Sequence, residues 1–355
     1  MFSATRKIIT FIKNFGFKPK FLLFPIIYGF YKLISLFFLL FDFIFYFKIS
    51  KTKIKKPIFL LAHPRSGTTF LNRFLLEQNP NLKGNYLWEM VYWTKSIRKI
   101  VSPFLNKMNA IFIKNNAYNK AIHETSLLES ETDDAALMTR FFEGLLPFLY
   151  VDAWKKYNSE NELIYLLKKN VGTKKHQNYL DIFYKKSIYK TEKRLFNKLF
   201  SGILYVDSII EKYPDSKIII VVRNPKEVLP SSLSLVKSLL SNFVDFEQIA
   251  EGEKKLFYNN VFTISKYYYS ELNRIYEKHQ KSKNVIFIEY DKIKSDFASI
   301  INEIYSFCEL EFTEKTAQLL EEKNKTQKTH SSNHKYSIEE FGLKIEDIEK
   351  IKLPF

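Results

Sequence analysis

Hydrophobic and polar positions divide this 355-residue chain into three kinds of text. The first is an almost unbroken apolar stretch, Phe21 to Phe47, interrupted by two charges, Lys32 and Asp42, and by the helix-weakening Pro25 and Gly29. The second is a set of short continuous apolar runs, Pro57 to Ala62, Lys217 to Val222 and Val285 to Tyr290, which read as strands covered on both faces. The third is long helical periodicity, as around Val236 to Tyr276, lying between those runs. Strands alternating with helices predict an α/β domain with a mainly parallel sheet. The polar, lysine-rich stretch Glu321 to Lys335 reads as a surface loop.

The apolar stretch divides the chain into residues 1–50, a membrane-associating segment, and residues 51–355, a catalytic domain. A spanning helix needs about 20 mostly apolar residues, and the stretch meets that length only with its two charges included. Arg6, Lys7, Lys13, Lys18 and Lys20 precede it and Lys48, Lys51, Lys53, Lys55 and Lys56 follow, so no charge asymmetry sets an orientation. An in-plane helix or re-entrant hairpin among anionic headgroups competes with a span and with a buried core helix. The expected address is the cytoplasmic side of a membrane, peripheral or anchored by this segment.

Charge narrows the partners. Fifty-five Lys and Arg against 38 Asp and Glu give a net +17, which favours anionic partners. Zinc-ligand spacing, a basic region with heptads and an RNP-like aromatic signature are all missing from the sequence, so nucleic acid is not expected. Cys308 is the only cysteine, which removes an intramolecular disulfide and a cysteine zinc cage.

Two patches carry chemistry. In His63-Pro64-Arg65-Ser66-Gly67-Thr68-Thr69 a buried strand feeds a tight turn that opens a helix, an arrangement that aims backbone N–H groups and a helix dipole at one point. Hydroxyls on Ser66, Thr68 and Thr69 add donors, Gly67 permits close approach, and Arg65 supplies a forked cation. The nucleotide P-loop GxxxxGK(S/T) is not reproduced: Ala62 stands for its first glycine and Thr68 for its lysine. At the end of the run KIIIVV lie Arg223-Asn224-Pro225 and then Ser231, eight positions beyond Arg223, where open α/β sheets collect ligands.

Together these patches resemble the PAPS-dependent sulfotransferase family (PAPS, 3′-phosphoadenosine 5′-phosphosulfate). The resemblance implies a P-loop-like three-layer sandwich, with a mainly parallel central sheet flanked by helices. It implies that Arg65, Ser66, Gly67, Thr68 and Thr69 hold the 5′-phosphosulfate and that Arg223 and Ser231 hold the 3′-phosphate. Further similarities are Val285 to Ile293 leading to Ile304 to Phe307 (a "YEDL" element), the acidic stretch Glu131, Asp133, Asp134, Ala136 and Leu137, and His334 to Leu343. The family's "K(N/S)P" segment is not matched as such; Arg194 to Gly202 is the nearest text, which leaves Arg194 or Lys198 to assist the leaving phosphate.

The expected activity is sulfuryl transfer from PAPS to a hydroxyl of a small molecule, lipid or glycan, with 3′-phosphoadenosine 5′-phosphate (PAP) as product and no metal. His123, Glu131 and Asp133 are the candidate bases; the competing reading of the acidic stretch is a solvated helix start. The rival functions are a degenerate P-loop kinase or other nucleotide enzyme, and a non-catalytic membrane-surface scaffold.

Overall fold

The computed structural model describes residues 2–16, 19–114, 125–241, 244–329 and 337–355. In chain order the elements used below are helices α1 (Phe2–Phe15) and α2 (Pro19–Phe45), strand β1 (Ile58–Ala62), helix α3 (Thr68–Gln78), strand β2 (Leu82–Lys83), helices α4 (Lys95–Val101), α5 (Asp134–Phe141) and α6 (Lys174–Ile188), strands β3 (Arg194–Lys198) and β4 (Lys217–Val222), helices α7 (Pro225–Ser241) and α8 (Glu251–His279), strand β5 (Val285–Glu289), and helices α9 (Phe297–Cys308) and α10 (Glu314–Thr329). The chain forms two compact units. One gathers Met1–Lys53, Asn85–Tyr189 and Ser234–Ile264; the other gathers Ile54–Gly84, Lys190–Leu233 and Ser265–Phe355.

The second unit holds a five-stranded sheet in the order β2-β3-β1-β4-β5, every pairing parallel. Its central strand β1 is buried at all five positions, because a parallel strand flanked by crossover helices meets no water on either face. Ile58, Leu60 and Ala62 from β1 pack with Ile219 and Val221 from β4 and with Phe297, Ile300, Ile301 and Ile304 from α9 in one apolar cluster. The three apolar runs read from the sequence are strands, with Tyr290 turning out of β5 into a short helix, Tyr290–Ser295. Of the other two strands, β2 is only two residues long and β3 carries charged residues at both ends.

The first unit is helical. The apolar stretch is neither broken at Pro25 or Gly29 nor folded back as a hairpin: α2 runs through both as one 27-residue helix. The two charges that interrupt the apolar stretch, Lys32 and Asp42, turn inward. Asp42, 5% exposed, accepts hydrogen bonds from the N–H groups of Lys95 (2.9 Å) and Ser96 (2.8 Å) and from the Ser96 hydroxyl (2.8 Å), and pairs with buried Lys186 on α6 at 2.8 Å. Lys32 donates to the Arg140 carbonyl and the Tyr31 hydroxyl to that of Val91 (2.7 Å). Buried Lys7 on α1 pairs with Asp152, and Arg98 with Glu89.

The lysine-rich stretch expected as a loop departs from that reading, since residues 321–329 complete α10. Its polar composition lacks helix breakers, and Glu, Lys and Gln are good helix formers. Residues 330–336 lie outside the described ones.

Candidate functional site

Strand β1 delivers the chain to the carboxyl edge of the sheet at Ala62, and the next five residues turn it into α3. The turn is made by two residues in the left-handed region, Arg65 and Gly67, both at φ 72°. Glycine is needed at the second of these. A Cβ there would sit 2.2 Å from Cε2 of Tyr290, so the ring of Tyr290 closes directly over the Gly67 backbone. Arg65 holds the same conformation with a side chain, a sparsely populated arrangement for a non-glycine residue that surrounding contacts must maintain.

Those contacts tie the two sequence patches into one cluster. The Arg65 Nε donates to the Ser231 hydroxyl at 3.0 Å. Arg223 Nη1 donates to the Arg65 carbonyl at 2.7 Å, its guanidinium lies 4.1 Å from the Tyr290 ring centroid, and the same guanidinium meets Glu227 one helical turn onward at 2.6 and 3.0 Å. The Tyr269 hydroxyl donates to the Arg223 carbonyl (2.7 Å). Arg223 and Ser231, expected to serve a second anion apart from the loop, are thus joined through Arg65 of the loop itself.

Within the turn, Ser66 is 0% exposed, and its hydroxyl has no hydrogen-bond partner. A buried hydroxyl left unpaired costs about 1–3 kcal/mol, and this one stands where the first N–H groups of α3 lack intrahelical partners. Thr68 is buried and Thr69 half-buried at the first two positions of the helix. Beside the turn, His63 is locked as a neutral imidazole. Its Nδ1–H donates to the Pro64 carbonyl (2.9 Å), its Nε2 accepts from the Ser265 hydroxyl (3.1 Å), and burial holds its pKa down to about 4.

Lys198 and Arg194 occupy opposite ends of β3. Arg194 opens the strand and donates to the carbonyls of Lys56 and Cys308, a bracing role at the amino edge. Lys198 closes the strand in register with Leu60, buried, at the carboxyl edge that the loop also occupies. Two contributors escaped the sequence reading. Tyr290 reads in the sequence as the last residue of a strand, and the signal it carries is that of an aromatic residue leaving the carboxyl end of a parallel strand. Glu227 was visible as the i+4 neighbour of Arg223.

The acidic stretch belongs to the helical unit and is not a solvated helix start. Asp133, 1% exposed, accepts from Asn85 Nδ2 (3.0 Å) and the Tyr184 hydroxyl (3.1 Å), and Ser187 in turn donates to Asn85 (2.6 Å). Glu131 is buried and accepts from Thr125 (2.7 Å); buried Asp134 accepts from Thr132 (2.8 Å). Helix α5 does begin at Asp134, but the carboxylates face polar side chains of the interior instead of water. His123 lies outside the described residues. No group of three or more His, Cys, Asp and Glu suited to a metal ion occurs among the described residues.

A family model described as "Sulfotransferase family" matches residues 57–314. Among solved structures, the sulfotransferase STF1 from Mycobacterium tuberculosis H37Rv superposes with a TM-score of 0.66 at 18% identity, covering 87% of this chain and 79% of that one. The sulfotransferase STF9 from Mycobacterium avium superposes with a TM-score of 0.68 at 15% identity, covering 86% and 76%. At these identities the likeness is one of fold. No curated protein sequence matches the chain.

Proposed function

The chain belongs to the sulfotransferase family, and from that premise we propose that it transfers a sulfuryl group from PAPS to an acceptor hydroxyl. The observation that carries this reading is the buried, unpartnered Ser66 hydroxyl at the start of α3, beside the linked Arg65, Ser231 and Arg223. An oxyanion of the donor supplies the acceptor that this hydroxyl lacks. Arg65, Ser66, Gly67, Thr68 and Thr69 then hold the 5′-phosphosulfate, and Arg223 with Ser231 holds the 3′-phosphate. In the transfer the acceptor oxygen attacks sulfur, the bond from sulfur to the 5′-phosphate oxygen breaks, and PAP leaves with the electron pair. Lys198 is assigned to the charge that grows on that leaving phosphate.

The acceptor proton passes to a base among His123, Glu131 and Asp133; comparing His123→Ala, Glu131→Gln and Asp133→Asn assigns it. For the acceptor we favour a lipid or glycolipid hydroxyl presented at a membrane, with the chain on its cytoplasmic side. The support is the exposed apolar surface of α2, described next.

The test is calorimetric titration of the full chain with PAP and with ADP, without magnesium. A strong preference for PAP is expected, because only PAP carries the 3′-phosphate. Equal affinity, or no binding of either, overturns the proposal in favour of a nucleoside-triphosphate enzyme or a scaffold.

A further inference from the structure

Helix α2 has two faces of opposite character. The inner one holds Tyr28, Tyr31, Lys32, Ser35 and Asp42; Ser35 and Asp42 are buried, and Tyr31, Lys32 and Asp42 bond to Val91, Arg140, Lys95, Ser96 and Lys186 of the same unit. The outer one is apolar and open: Ile26, Phe30, Leu33, Phe37, Leu40 and Ile44 are all exposed. These recur every three to four residues, and Leu23–Phe45 has a mean hydropathy of 1.9. Leu36, Phe43 and Phe45 are exposed as well, so the open apolar surface is much wider than the narrow stripe through which two helices pair.

Length alone would let this helix cross a bilayer, but its docking does not. The bonded positions run from Tyr28, whose hydroxyl donates to the Thr139 carbonyl at 3.5 Å, to Asp42, and extend over ~21 Å of helix at 1.5 Å per residue, most of a hydrocarbon core about 30 Å thick. A crossing orientation would carry the Asp42–Lys186 pair and the polar backbone around Lys95 and Arg140 to membrane depth, where charges and irregular backbone are strongly disfavoured. Lying flat, the helix immerses only its outer face. The same unit carries exposed cations on the segments that flank the helix in sequence: Arg6 and Lys13 on α1, and Lys48, Lys51 and Lys53 just after α2. They suit anionic headgroups.

We infer that α2 lies in the plane of an anionic membrane surface, its outer face among the acyl chains and its inner face docked on the helical unit. The inference rests on the membrane location proposed above and makes it specific: a one-leaflet seat, with lipid as the occupant of this face.

The experiment places spin labels on the full chain, one at a time, through Ile26→Cys, Phe30→Cys, Phe37→Cys and Ile44→Cys, with buried Cys308 left in place. Depth is read by oxygen and nickel-chelate accessibility on phosphatidylcholine vesicles containing phosphatidylglycerol. Four similar, shallow depths are expected. A profile with Phe30 and Phe37 near the midplane and the other two near the surface means a span and overturns the inference. Four labels shielded from both oxygen and the nickel chelate on a dimeric chain mean that a second copy covers the face, and four water-exposed labels mean that nothing does; either result overturns it too. The double variant Phe30→Glu/Phe37→Glu is expected to lose more than tenfold in vesicle binding while its PAP affinity stays unchanged. Unchanged vesicle binding in that variant, or equal binding to vesicles lacking phosphatidylglycerol, is the contrary result. Failure of PAP binding with vesicle binding intact would remove the sulfuryl-transfer reading and leave this one standing.

Discussion

Three buried cations of the helical unit are held differently from the arginine at the sheet edge. In the helical unit Lys186, Lys7 and Arg98 are buried and each is matched by a carboxylate as buried as itself, namely Asp42, Asp152 and Glu89. In the sheet unit Arg223 is matched by Glu227, which is 43% exposed by its side chain and one helical turn away. A pair of the first kind cannot open without stranding a charge in a poor solvent. A pair of the second kind is worth little, and the carboxylate can swing into water while an incoming anion takes the guanidinium. Buried pairing therefore marks Lys186, Lys7 and Arg98 as parts of that unit's architecture. The half-open arginine at the sheet edge remains available for exchange.

The sharpest way to break this contrast is Asp42→Ala, which leaves Lys186 buried and unmatched. A loss of about 3–5 kcal/mol is expected, measured by urea unfolding, with PAP affinity of the folded protein unaltered. Next comes Arg223→Ala. Removing charge-assisted bonds worth about 1.5–3 kcal/mol should weaken PAP binding about 10- to 100-fold in calorimetry while the melting temperature moves little; an equal fall in both would make Arg223 architectural as well. Asp133→Asn replaces one accepting oxygen by a donor facing Asn85 or Tyr184. It should cost about 1–3 kcal/mol of stability and leave turnover per folded molecule within tenfold, whereas a greater loss of turnover at full folding would identify Asp133 as the base.

The smallest effect is a difference in acid response. His63 has its pKa lowered by burial from 6.5 to about 4, so the unfolded chain binds the proton first and the stability His63 contributes drains away as pH falls from 6.5 toward 4. Burial pushes the Asp42 carboxyl up, but the Lys186 ammonium and the N–H groups of Ser96 and Lys95 outweigh it. Asp42 ends below its ordinary 3.8, and its contribution is lost only beneath that pH. Hydrogen exchange followed through an acid titration should show amides around β1 loosening before those around α4, and His63→Gln should flatten the first step alone.

These differences also explain what the sequence reveals. Strands β1 and β4 are legible because a strand buried on both faces must be apolar at nearly every position; β5 shows the same apolar run although it lies at the sheet edge and is only partly buried, and the turn after β1 is legible because its chemistry is contiguous. Strand β3 is not, since Arg194, Asn197 and Lys198 disguise five residues of interior sheet as polar text, and the sequence alone does not choose between Arg194 and Lys198 at its two ends. The inward turn of Lys32 and Asp42 is equally hidden. Their partners lie far along the chain, and nothing local distinguishes a charge that interrupts an apolar helix from one that fastens it. The burial of Asp133 is of the same kind, depending on Asn85 and Tyr184.

That long separation has a consequence for synthesis. Asp42 emerges from the ribosome well before Lys95 and Ser96, and Lys186 follows roughly 140 residues after it; at ~5–20 residues per second the wait for Lys186 is on the order of ten seconds. During that interval α2 is a nascent greasy segment with its eventual protein face unmade. Whatever meets the emerging chain first, a chaperone or a lipid leaflet, handles the helix before the rest of its own unit exists.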